Sequence, residues 1–128
     1  MNINWNEHEI AAPGELIPAK TWVTAQCIKI TKKLTSDGDE MFAMKFSVIS
    51  GPYKNRHYQD NIVFSEKGLS RAKLICDSMG IDVTGSVSVD ELEKSLLGRE
   101  VQNEIIISKD GKYNNVSYAG YKKVEIPF

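Results

Sequence analysis

Apolar and polar positions alternate with a period of two from Glu40 to Ile49, with Phe42, Met44, Phe46 and Val48 on one side and Lys45 and Ser47 on the other. That is the period of a strand with one buried and one wet face. Upstream, between Lys20 and Lys33, Val23, Ala25 and Cys27 alternate before the apolar parity moves to Ile28 and Ile30. A long first strand broken by a bulge or bend is expected there. Ser36-Asp37-Gly38-Asp39 and Ser50-Gly51-Pro52 are turns, and a third strand is predicted from Arg56 to Phe64. In it Tyr58, Ile62 and Phe64 share the inward parity, while His57, Gln59 and Asn61 face out.

Beyond Ser65 the period changes to that of a helix. Leu69, Ala72, Ile75, Cys76 and Met79 fall on one face of a predicted helix from Glu66 to Met79, with Ser65 as its cap and Gly80 as its end. After a loop from Ile81 to Val87, Ser88-Val89-Asp90-Glu91 has the form of a capping box. It opens a short helix carrying Leu92, Leu96 and Leu97 and stopping at Gly98. A strand from Arg99 to Ser108, a hairpin turn at Lys109-Asp110-Gly111-Lys112, and a last strand from Tyr113 to Val124 complete the chain. Three strands, a helical connection and two strands make a mainly β chain, and this is the succession of the five-stranded OB-fold barrel. An N-terminal arm over residues 1–19, a domain over 20–124 and a tip over 125–128 are the expected divisions. Trp5, in the arm, is expected to dock on the body rather than serve as a platform.

The 128 residues suffice for one domain with a core of its own, and 41% hydrophobic with 26% charged residues is an ordinary globular balance. No apolar run is long enough to span a membrane, and the polar start lacks the character of a signal peptide, so a cytosolic protein is expected. Cys27 and Cys76 have no close second cysteine and read as small core residues. The net charge of -1 hides segregation. Lys20, Lys29, Lys32 and Lys33 occupy a stretch without acids, and from Met41 to Lys73 six cations face two acids. From Leu74 to Glu104 acids dominate, so a basic side and an acidic side are expected.

The polar face of the second and third strands mixes cations and amides with tyrosines, a combination suited to phosphates and flat rings. Phosphates are expected to meet Lys29, Lys45, Lys54, Arg56 and Lys112, with His57 as a further donor on the same row. Bases are expected to stack among Trp22, Tyr53, Tyr113 and Tyr118. Tyr58 shares its parity with core residues, and Arg56 has Asp60 as an alternative partner. No clustered carboxylates, phosphate-binding glycine loop, nucleophile elbow or paired histidine ligands are present, so no enzyme, cofactor or metal is expected. Asp37, Asp39 and Glu40 crowd one turn as turn residues do.

Three stretches of wording match a known family in order and spacing: Ile17-Pro18-Ala19 before the first strand, Gly51-Pro52-Tyr53-Lys54-Asn55-Arg56 between strands two and three, and Asn115-Val116-Ser117-Tyr118-Ala119-Gly120-Tyr121 near the end. Over residues 15–122 the chain resembles a bacteriophage family long catalogued as a domain of unknown function and grouped with phage single-stranded DNA-binding proteins. It departs where Asn55 replaces a frequent glycine and where residues are added around Tyr118, which bears on the register of the last strand. The resemblance implies sequence-independent binding of single-stranded DNA in phage replication or recombination, in the cytoplasm of the bacterial host, by a possible homo-oligomer.

Separately, Glu125-Ile126-Pro127-Phe128 resembles the C-terminal tip of bacterial single-stranded DNA-binding proteins, which recruits replication and repair enzymes. Partner binding through Ile126, Pro127 and Phe128 is the corresponding expectation, against packing of Ile126 and Phe128 on the body. A protein- or oligosaccharide-binding OB module without nucleic-acid binding is the alternative function.

Overall fold

The alternating segments become the strands of one antiparallel sheet. In the computed structural model, which describes residues 16–85 and 87–124, the strands are β1 (Thr21–Leu34), β2 (Glu40–Val48), β3 (His57–Val63), β4 (Glu100–Ile107) and β5 (Asn114–Lys122). Their order is β3-β2-β1-β4-β5, with α1 (Leu69–Ser78) and α2 (Val89–Leu96) between β3 and β4. β1 pairs with both β2 and β4. Its register shifts between Cys27 and Lys29, at the predicted break in parity. The displaced Ile28 points to solvent instead of joining the core.

The sheet curls so that its outer strands, β3 and β5, come face to face without a ladder between them. The enclosed core holds Phe42, Met44, Phe46 and Val48 from β2, Tyr58 and Ile62 from β3, and Val101 and Ile105 from β4. Phe46 and Tyr58 stack with ring centroids 5.3 Å apart, and Phe42 meets Phe64 edge-on at 4.9 Å. Cys27 and Cys76 are buried and unbridged, and burial pushes both thiols up to about 11. The arm expected over 1–19 reaches into this core at its end. Ile17 is fully buried, and Asn114 of β5 grips it from both sides, accepting from its N–H and donating to its carbonyl, each at 2.9 Å.

Both helices differ from expectation in detail. α1 begins at Leu69 rather than Glu66, because the Ser65 hydroxyl closes a turn on the Gly68 N–H instead of capping a helix. That late start turns Leu69 outward. α2 starts as the capping box predicts, with Ser88 Oγ accepting from the Glu91 N–H at 3.2 Å. Leu97, past its last turn, is exposed.

Strand β5 carries a wide bulge. Val116 pairs with Ile105 and Tyr121 with Asn103, so Ser117, Tyr118, Ala119 and Gly120 together oppose Glu104.

Candidate nucleic-acid interface

Local hydrogen bonding builds the two turns that flank the site. In the β4–β5 hairpin, Asp110 Oδ1 accepts from the Ser108 hydroxyl and the Lys112 N–H, and Ser108 Oγ accepts from the Tyr113 N–H. The Ser108 hydroxyl and the Lys112 amide hold the Asp110 carboxyl below its usual range. Gly111 takes φ +73°, which this tight closure needs. The result is a hydrogen-bonded tip presenting Lys112 and Tyr113, the latter 64% exposed. In the β2–β3 turn, Gly51 and Asn55 both have positive φ, +82° and +73°. Asparagine is among the residues that tolerate the left-handed region. The Val48 N–H donates to the Arg56 carbonyl at 2.9 Å and places Arg56 at the start of β3.

Between these turns lies a groove of about 420 Å³ lined by Lys45, Arg56, His57, Gln59, Lys112, Tyr113 and Asn115, with Leu16, Tyr58 and Asn114 completing its walls. Residues separated by more than half the chain meet in it, and among the described residues that line it there is no carboxylate. Five expected site residues, Lys45, Arg56, His57, Lys112 and Tyr113, are brought together here. Lys29 extends the cationic wall, since it stands directly opposite Lys45 across the β1–β2 ladder.

The groove continues along the β3–β5 seam. Gln59 and Asn115 also line the next opening, with Asn61 and Tyr118, and that opening shares Asn61, Arg71 and Tyr118 with a third one reaching Lys67. Tyr118 is 68% exposed, with the Arg71 guanidinium 5.4 Å from its ring centre. Gln59, Asn61 and Asn115 are not among the residues expected to meet phosphates or bases. The outward parity of Gln59 and Asn61 marked the first two, and the polar pair Asn114-Asn115 beside Tyr113 was the signal for the third.

The remaining expected residues stand elsewhere. Trp22 is 39% exposed but lies on the β1–β4 face, opposite Glu104, with the Lys122 ammonium 4.3 Å above its ring. Tyr53 leans half-buried on the core, and Lys54 projects from the β2–β3 turn. Tyr58 is core, as its parity predicted. Asp60, offered as a partner for Arg56, instead binds Arg71 at 2.7 Å. Trp5, Ile126, Pro127 and Phe128 lie outside the described residues.

Charged residues outside the groove have partners or positions of their own. Lys32, counted among the basic residues of β1, is tied to Asp90 of α2 at 2.7 Å, which holds the lysine pKa up and the Asp90 carboxyl down. Glu100 and Glu104 face outward on β4. Among the described residues no three His, Cys, Asp or Glu side chains are grouped to hold a metal ion, and no helix is long and apolar enough to cross a membrane. The crowded turn at Asp37, Asp39 and Glu40 is closed by Thr35, whose Oγ1 accepts from the Asp39 N–H. No protein-family model matches the chain, and no curated protein is significantly similar to it.

Proposed function

We propose that this chain binds single-stranded DNA without sequence specificity, as a non-enzymatic protein of phage replication or recombination. The observation that carries the reading is the groove in which Lys45, Arg56, His57 and Lys112 gather around the exposed Tyr113, with no carboxylate among its described lining residues. Cations supply the salt-sensitive grip on phosphates, and exposed aromatic rings accept any base, because every base has a π-face.

The strand order and the helical connection between β3 and β4 support an OB-type barrel as the finer description. Such barrels take single strands across strands two and three and the loops beside them. The β2–β3 face and the β4–β5 hairpin tip occupy those positions here. The resemblance to the phage family adds the biological setting, in the host cytoplasm, and the Ile126-Pro127-Phe128 motif adds recruitment of replication or repair enzymes.

Fluorescence anisotropy of a labelled oligo-dT at two salt concentrations tests the reading. Binding that weakens steeply with salt and is similar for mixed-sequence oligomers is expected. Absence of binding at low salt refutes it. Binding of an oligosaccharide or a protein that ignores salt would favour the alternative OB module instead.

A further inference from the structure

The site is divided lengthwise by chemistry. On one side, Lys29 and Lys45 are directly opposed on β1 and β2, with Gln59 of β3 next in the same row. Opposed like charges destabilise a ladder, and among the described residues neither ammonium has an acidic partner to relieve it. On the other side, the β3–β5 seam is lined by the neutral groups Gln59 and Asn61 from β3 and Asn115 and Tyr118 from β5, with the mutually paired Arg71 and Asp60 among them. The guanidinium in that wall, Arg71, is already neutralised by Asp60 and bound to the backbone of both edge strands. It donates to Tyr118 O, Asn61 O and Asp60 Oδ2 at 2.9, 2.9 and 2.7 Å.

A single strand has the same two sides, a charged one of phosphates and a flat neutral one of bases. We infer that a bound strand lies along β3 with its phosphates toward Lys29 and Lys45 and its bases turned into the β3–β5 seam, where one of them stacks on Tyr118. The inference rests on the single-strand reading and adds the orientation of the ligand in the site. Arg71 acts as a positioning residue: by binding the Tyr118 carbonyl and lying against its ring it holds an exposed aromatic in a bulge that would otherwise let it swing. The amides of Gln59 and Asn115, flanking the seam, offer both donors and acceptors to base edges.

The test separates the two sides of the ligand with two probes, oligo-dT and an oligomer of the same length made of abasic sugar-phosphate units. Lys29→Ala and Lys45→Ala are expected to weaken both probes alike and to lower the salt slope by about one each. Tyr118→Ala is expected to weaken oligo-dT roughly fivefold or more, leaving its salt slope and the abasic oligomer unchanged. Tyr118→Phe, which keeps the ring, is expected to bind as the parent does. Tyr118→Ala binding oligo-dT as tightly as the parent overturns the inference while the single-strand reading stands. So does an equal loss on both probes. A parent protein that binds neither probe overturns the reading and the inference together.

Discussion

Arg71 of α1 and Asp60 of β3 form an ion pair of 2.7 Å with side chains only 15% and 13% exposed, across the seam where the sheet has no ladder. The same carboxylate oxygen accepts from the Tyr121 hydroxyl of β5, and the same guanidinium binds carbonyls of both edge strands. One helix side chain therefore joins two strands that do not pair.

Removing Arg71 leaves Asp60 charged and shielded from water. Breaking a buried pair on one side costs about 3–5 kcal/mol, and partial exposure places this pair toward the lower end. Arg71→Met is expected to lower the midpoint of urea unfolding accordingly. Arg71→Lys should recover less than half of the loss, since one ammonium cannot span three acceptors set in a fan. Full recovery by lysine would show that charge alone, not the fork, joins the strands.

A second cross-barrel link is buried. Asn103 of β4 accepts from the Tyr58 hydroxyl at 2.6 Å and donates to the Gly120 carbonyl at 3.0 Å. Asn103→Ala orphans both groups, each costing about 1–3 kcal/mol, whereas Tyr58→Phe removes one bond and leaves the amide its other partner. Thermal unfolding should rank Asn103→Ala well below Tyr58→Phe, and the double variant should fall short of the sum.

These links explain what the sequence could and could not reveal. Alternation placed β2 with its inward row, the lost parity after Cys27 located the bulge, and Ser88 announced α2, because each signal lies within a few residues of its effect. Arg71 reads in sequence as a polar position on a helix face, and its partners Asp60 and Tyr118 are 11 and 47 residues away. Nothing local marks such a contact. Leu69 and Leu97 differ from expectation for a related reason: apolar periodicity runs on through helix ends that hydrogen bonding at Ser65 and Gly98 sets elsewhere. At the site, parity separated Tyr58 from His57 and Gln59, but only the folding of β5 against β3 brought Tyr113 and Asn115 to the same groove.

Gly68 is required by space rather than by dihedral freedom. A Cβ there would sit 2.3 Å from the Val63 carbonyl oxygen, a backbone atom that cannot turn away. Gly68→Ala should cost about 1–3 kcal/mol through displacement of the β3–α1 connection. An unchanged unfolding midpoint would mean the connection moves freely.

Stability should fall in alkali. Burial raises the Cys27 and Cys76 thiols to about 11 from 9.0, and it raises the Tyr58 and Tyr121 hydroxyls above 10, with the Asp60 carboxylate adding to both tyrosines. The unfolded chain releases these protons first, so the native state is fully favoured below about pH 9 and loses ground above it, up to about 1.4 kcal/mol per pH unit for each group. Urea midpoints measured under reductant should decline from pH 9 through pH 11. Cys27→Ala/Cys76→Ala should flatten the decline below pH 10 and leave the tyrosine part above it.

Lysine position, rather than lysine count, should govern binding. Lys45 and Arg56 line the groove; Lys32, on the neighbouring strand, does not, and it is bound to Asp90 of α2. Lys45→Glu and Arg56→Glu place a repulsive charge beside each phosphate and should weaken oligo-dT and mixed-sequence oligomers by the same factor, since phosphate contacts carry no sequence information. Lys32→Gln removes one positive charge from a residue that does not line the groove. If a general basic field were the source of affinity, it should cost about as much as any other lost lysine. If the groove is the source, anisotropy titrations at low salt should find Lys32→Gln close to the parent and both groove variants far weaker. Equal losses for Lys32→Gln and Lys45→Gln, measured side by side, would remove the groove from the account of binding.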